Sequence, residues 1–154
     1  MAAPPQMGVF NTPIDDVEVV TILITPTLFK TLDNTLATAI PLIKGKPGTM
    51  IEVFQASANM QFPKTGGVPY ASGTGSIFGG FSNGSIIVTN VGFGTSPQIK
   101  GGNSYYQLYQ PSNINYPSTY FGSDFLLTQS AATLYTAGNS PFLYTIRYRY
   151  INVA

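Results

Sequence analysis

A chain of 154 residues with no Cys, His or Trp, and with only 7 basic and 6 acidic side chains, is long enough to bury one core but carries little acid–base or metal-ligating chemistry. Thiol nucleophiles, histidine bases, Ser-His-Asp triads and the usual zinc ligand sets are excluded at once. The near-even charge balance leaves no electrostatic footprint for nucleic acid or an acidic membrane surface. Charged residues make up 8% of the chain, against roughly 25% in an ordinary soluble domain, and the surface left over, rich in Ser, Thr, Asn, Gln, Gly and Tyr, suits contact with protein or sugar.

The opening Met1-Ala2-Ala3-Pro4-Pro5-Gln6 has neither a basic region nor an apolar stretch, and no run of eighteen apolar residues follows. The expectation is a chain made in the cytoplasm without a signal peptide or membrane span. Residues 1–16 hold three prolines and no period, and read as an extended arm preceding a single domain at 17–154. From Val17 a β-branched run, Val-Glu-Val-Val-Thr-Ile-Leu-Ile, predicts a strand that becomes buried on both faces towards its end at Thr25-Pro26. Thr25 as N-cap and Pro26 as first helical residue, with Leu28, Phe29 and Leu32 on one side, predict a helix of about two turns and the chain's single helix.

A short strand at Ala39 to Ile43 and a turn at Lys44-Gly45-Lys46-Pro47-Gly48 lead into extended structure from Thr49 to Phe62. There Ile51 and Val53 share one parity, whereas Phe54, Ala56, Ala58, Met60 and Phe62 share the other, which places a β-bulge near Val53 and Phe54. The Gly-rich stretch from Pro63 to Ser85 reads mostly as loop, with strands possible at Ser76-Ile77-Phe78 and around Ile86-Ile87-Val88. Gly92, Gly94 and Gly101-Gly102 mark another irregular stretch. Ser104 to Gln110 is a strand, the polar and aromatic segment from Pro111 to Tyr120 a loop, and Phe125 to Thr128 and Ala132 to Thr136 are short strands.

The closing segment carries the clearest pattern: Phe142, Tyr144, Ile146, Tyr148 and Tyr150 face one way, and Leu143, Thr145, Arg147, Arg149 and Ile151 the other. The fold class expected from these elements is all-β, an antiparallel β-sandwich (jelly-roll-like) with one short helix and an extended N-terminal arm. An immunoglobulin-type sandwich competes, without its Cys and Trp hallmarks.

In the order Val19-Val20-Thr21-Ile22, Leu28/Leu32, Ile40-Pro41-Leu42-Ile43, Lys46-Pro47-Gly48, Met50 to Phe54 and Tyr144-Thr145-Ile146-Arg147-Tyr148-Arg149-Tyr150, the chain resembles small bacteriophage virion structural proteins, namely capsid decoration, head-fibre and tail-associated β-sandwich proteins. It departs from them at Ala137-Gly138-Asn139-Ser140, where the family often has a Gly-Asp-Gly-type turn before its last strand. The resemblance implies a virion part that adds stability or a surface feature, and implies no catalytic residue.

Among the six carboxylates, Asp15, Asp16 and Glu18 sit at a solvated strand entry, while Glu52 and Asp124 are isolated and read as structural, so a glycosidase pair is disfavoured. Gly73 to Gly79 lacks the spacing and the following helix of a phosphate loop, and Asn83-Gly84-Ser85 is a turn signal before it is a glycosylation acceptor. Tyr105, Tyr106, Tyr109, Tyr116 and Tyr120 lie close in sequence amid Asn, Gln and Ser. They suit core packing, a subunit interface or a glycan surface. Arg147 and Arg149 share a face, either pairing with a neighbouring subunit's acids or forming a solvated edge that discourages strand addition.

The resulting expectation is a non-enzymatic virion protein, without cofactor or metal, that forms a homotrimer and contacts other virion proteins such as the major capsid protein. The alternatives are a receptor- or carbohydrate-binding module and a single jelly-roll capsid subunit.

Overall fold

A computed structural model describes residues 17–82, 87–110 and 120–153, with the backbone alone at 87–90. The N-terminal arm, the Asn83-Gly84-Ser85 turn and most of the loop from Pro111 to Tyr120 lie outside the described residues. The strands are β1 (Glu18–Ile24), β2 (Ile40–Ile43), β3 (Thr49–Met60), β4 (Tyr70–Ala71), β5 (Ile77–Ser82), β6 (Ile87–Gly94), β7 (Tyr105–Tyr109), β8 (Phe125–Gln129), β9 (Thr136–Ala137) and β10 (Phe142–Asn152). Two short helices, α1 (Pro26–Phe29) and α2 (Ser96–Lys100), complete the described elements.

Two antiparallel sheets, ordered β1-β10-β3-β7 and β2-β8-β5-β6, pack across one core, and a small β4-β9 ladder stands beside them. Apart from the β5-β6 hairpin, consecutive strands of the two large sheets lie on opposite sheets. That connectivity is a jelly roll, as the strand count and turn spacing lead one to expect.

The core forms where the alternation of β10 meets the other sheet. Phe142, Tyr144, Ile146 and Tyr148 are buried in a row. Phe142 stacks on Phe29 at 4.4 Å, and Tyr144 meets Phe93 of β6 edge-on at 4.9 Å. Helix α1 closes one end: Thr25 accepts a hydrogen bond from the Leu28 N–H at 3.3 Å, Pro26 sits in the first turn, and Phe29 and Leu32 point inward. The helix is one turn rather than two, because Lys30 already caps its C-terminus.

The bulge falls where the parity change places it. Arg147 pairs with Gln55 and Tyr148 with Val53, so Phe54 has no partner in the ladder. Contrary to its parity, Phe54 turns outward under the Arg149 guanidinium, 5.0 Å from its ring, while Ala56, Ala58 and Met60 fill the core.

Three further expectations about secondary structure need correction. The first is the Gly-rich region: β5 runs through Gly79-Gly80 in the middle of its sheet, and β6 runs through Gly92 and Gly94. A Cβ at Gly79 would lie 2.4 Å from the Phe125 ring and one at Gly94 would lie 2.2 Å from the Tyr105 hydroxyl, so these glycines make room for aromatic rings rather than break strands. The second is α2, a second helix that the sequence reading leaves out. Its Gln98 carboxamide accepts from the Thr95 N–H at 2.8 Å, and Pro97 lies in its first turn, so the Thr-x-x-Gln capping signal was present in the sequence. The third is Ala132 to Tyr135, which is not a strand; β9 begins at Thr136. Tyr135 is instead a buried wedge whose hydroxyl donates to the Gly75 carbonyl.

Phe29→Ala is expected to cost about 3–5 kcal/mol in denaturant unfolding, whereas Leu28→Ala, on the exposed side of the same turn, costs less than about 1 kcal/mol. Equal losses would contradict the orientation of α1.

Candidate functional site

Because β10 lies between β1 and β3, its second face belongs to a continuous outer surface of the β1-β10-β3-β7 sheet. The register aligns Leu23, Leu143, Asn59 and Tyr106 in one row across all four strands, and Thr21, Thr145, Ser57 and Leu108 in the next. Val19, Arg147 and Gln55 form a third. Val19, Leu23 and Tyr106 are 57–61% exposed, and Leu108 is 43% exposed. The sheet therefore presents large apolar side chains to solvent, interleaved with hydroxyls and amides.

This surface is a feature the sequence reading missed. The apolar run ending β1 was expected to be buried on both faces, yet only its Val20, Ile22 and Ile24 parity faces the core, while Val19 and Leu23 point out. An edge strand with one face uncovered produces the same continuous apolar run as a doubly buried strand, so periodicity could not separate them.

Both arginines sit on this face. Arg149 Nε donates to Glu52 Oε2 at 2.6 Å across directly paired positions of β10 and β3, a contact within the chain. Arg147 is flanked by both β1 and β3, so the solvated-edge reading does not describe it, whereas Arg149 lies beyond the last β1 pair, Glu18–Tyr148, and pairs with β3 alone. Arg147 is exposed beside Gln55 and Val19 and has no ion-pair partner among the described residues.

The tyrosines do not share a surface. Tyr105 and Tyr109 pack against the core, with the Tyr105 hydroxyl donating to the Phe93 carbonyl at 3.3 Å. Tyr106 points out, and Tyr120 is buried against Phe81 of the opposite sheet at 5.2 Å. Tyr116 lies outside the described residues.

The carboxylates hold structural partners. Glu18 accepts from the Tyr148 hydroxyl at 2.7 Å; burial, reinforced by this carboxylate, pushes the Tyr148 phenol well above its ordinary range. Burial raises the Asp124 carboxyl, but the Gly45 N–H at 2.8 Å and the Lys44 ammonium at 2.9 Å outweigh it and hold the group below its usual value. Asp33 is lowered by the Thr35 and Thr38 hydroxyls and the Thr35 N–H, which fold the loop onto its carboxylate. Among the described residues there is no group of three or more acidic, His or Cys side chains placed to hold a metal, and no helix long and apolar enough to cross a membrane.

Comparison with protein-family models, curated proteins and solved structures finds no match.

Asp33 and Asp124 have folded-state values below the ordinary 3.8, so their contribution to stability is complete above that value and is lost as pH falls through the folded-state values. Urea midpoints should stay level from about pH 7 to 5 and decline below about pH 4. Asp124→Asn should flatten part of that decline, and an unchanged profile in this variant would show that the Lys44 and Gly45 contacts do not form in solution.

Proposed function

We propose that this chain is a non-enzymatic structural protein of a bacteriophage particle, decorating or stabilising the capsid or forming part of a fibre or tail attachment, and that it assembles as a homotrimer through the outer face of the β1-β10-β3-β7 sheet. The observation that carries the reading is the exposed apolar surface of Val19, Leu23, Tyr106 and Leu108 on a rigid sheet. Monomeric proteins seldom leave such a surface facing water, and burying it against copies of itself is the economical use. The jelly-roll connectivity supports the reading, since this architecture recurs in viral coat domains, although fold alone does not assign function. The resemblance in the β1, β2, β3 and β10 segments points the same way.

The mechanism is mechanical. Each subunit covers apolar side chains of its neighbours, the internal Arg149–Glu52 pair contributes no net charge to the contact, and repeated modest contacts add through multivalency once subunits sit on a particle. Such an interface responds only weakly to salt, because its apolar side chains carry no charge and Arg147 is the exposed cation among them.

Light scattering of the purified protein at two concentrations and two salt levels should give a trimer mass throughout. Leu23→Lys combined with Leu108→Lys should reduce it to monomer, with the melting temperature of the subunit fold little changed, since both side chains point outward. A wild-type monomer at every concentration, or a trimer unaffected by the double substitution, would remove the proposal.

A further inference from the structure

A cleft of about 500 Å³ opens on the flank of the sandwich, where β6 at the edge of one sheet runs beside β7 at the edge of the other and α2 covers the end of β6. Its apolar lining comes from Phe78, 7% exposed, and the bare backbone of Gly92, with the buried Ile77 behind them. Its rim is polar but uncharged, with Gln98 of α2, Gln107 of β7 and Ser130 beyond β8. We propose that this cleft binds a neutral saccharide ring, with the C–H face of the sugar against Phe78 and Gly92 and its hydroxyls directed to the two glutamine amides and Ser130.

Gly92 shapes the cleft. It lies within a strand, where glycine costs stability. Gly79 and Gly94 are explained by the aromatic rings beside them, but a Cβ added at Gly92 would meet nothing within 4 Å, and its φ lies outside the left-handed region that favours glycine. It pairs with Phe78 beside a register shift in the β5-β6 ladder, and at this bulge it leaves the cleft open. The opening is of the size that holds small ligands.

The polar groups fit a polyol. The Gln107 side chain is half-buried and makes no hydrogen bond to another described residue. The Gln98 Oε1 is committed to the Thr95 N–H and hydroxyl, and its Nε2 remains a donor. Ser130 is fixed by a reciprocal pair with Ser76, its hydroxyl accepting the Ser76 N–H at 2.9 Å and its own N–H donating to the Ser76 carbonyl at 3.0 Å. Amides and a hydroxyl around an apolar floor, with no charged side chain in the lining, match a neutral sugar and give nothing to offset the desolvation of a charged ligand.

The test is saturation-transfer NMR on the full chain with a panel of neutral mono- and disaccharides (glucose, galactose, mannose, N-acetylglucosamine, lactose, maltose) and sialyllactose as the anionic comparison. At least one neutral sugar is expected to show transfer, weakened tenfold or more by Gly92→Phe, which fills open space, and reduced by Gln107→Ala, with sialyllactose binding no better than lactose. No transfer from any neutral sugar, binding that Gln107→Ala leaves unchanged, or binding confined to sialyllactose would overturn it. Should Gly92→Phe lower the melting temperature, the Gln107→Ala result decides alone. The outcome is separable from that of the assembly proposal, because these positions lie on the flank of the sandwich and leave Leu23 and Leu108 untouched.

Discussion

The structure depends on the strict two-residue alternation of β10. One parity supplies a row of aromatic and aliphatic side chains that crosses the core and touches α1 through Phe142 and β6 through Tyr144. The other parity supplies the spine of the exposed surface. Since β10 pairs along most of its length with both β1 and β3, a slip of one residue would expose the aromatic row and bury Arg147 and Arg149 together. The bulge at Phe54 answers to the same constraint: it absorbs one residue of β3 so that Ile51 and Val53 on one side, and Ala56, Ala58 and Met60 on the other, all meet the inner row.

Much of this was legible in the amino-acid order, for physical reasons that differ from element to element. The alternation of Phe142 to Ile151 determines which face is core without any knowledge of partners, and the parity change near Val53 determines the bulge in the same way. Thr25-Pro26 fixes the start of α1 because its capping chemistry is local. The glycines mislead because their cause is not local. Gly79 and Gly94 sit in strands to accommodate Phe125 and Tyr105, which are distant in sequence, and nothing in the neighbouring residues distinguishes such a glycine from one that ends a strand. The same limit explains the candidate surfaces. Tyr105 to Tyr120 are close in sequence, but the strand and the chain crossing between sheets send Tyr106 outward and Tyr120 into the core, while the flat apolar face is assembled from four strands scattered between Val19 and Ile151.

The two proposed uses of the molecule occupy different sides of one scaffold. The outer face of the β1-β10-β3-β7 sheet presents Val19, Leu23, Tyr106 and Leu108 to solvent, with Arg147 exposed among them. The flank between β6 and β7 is concave and lined with amides and hydroxyls, a site for something small. Neither depends on a titrating group, consistent with a composition poor in acid–base side chains. Together the two proposals describe a chain that holds neighbours with one surface and takes a small ligand with another.

The claim beneath all of this is that β10 organises the fold, and native-state hydrogen exchange tests it most directly. Amides of β10 between Leu143 and Arg149 should exchange only through global unfolding, with the full unfolding free energy, while those of the two-residue β4-β9 ladder open locally and far faster. Protection in β10 no greater than in β4 and β9 would contradict the account.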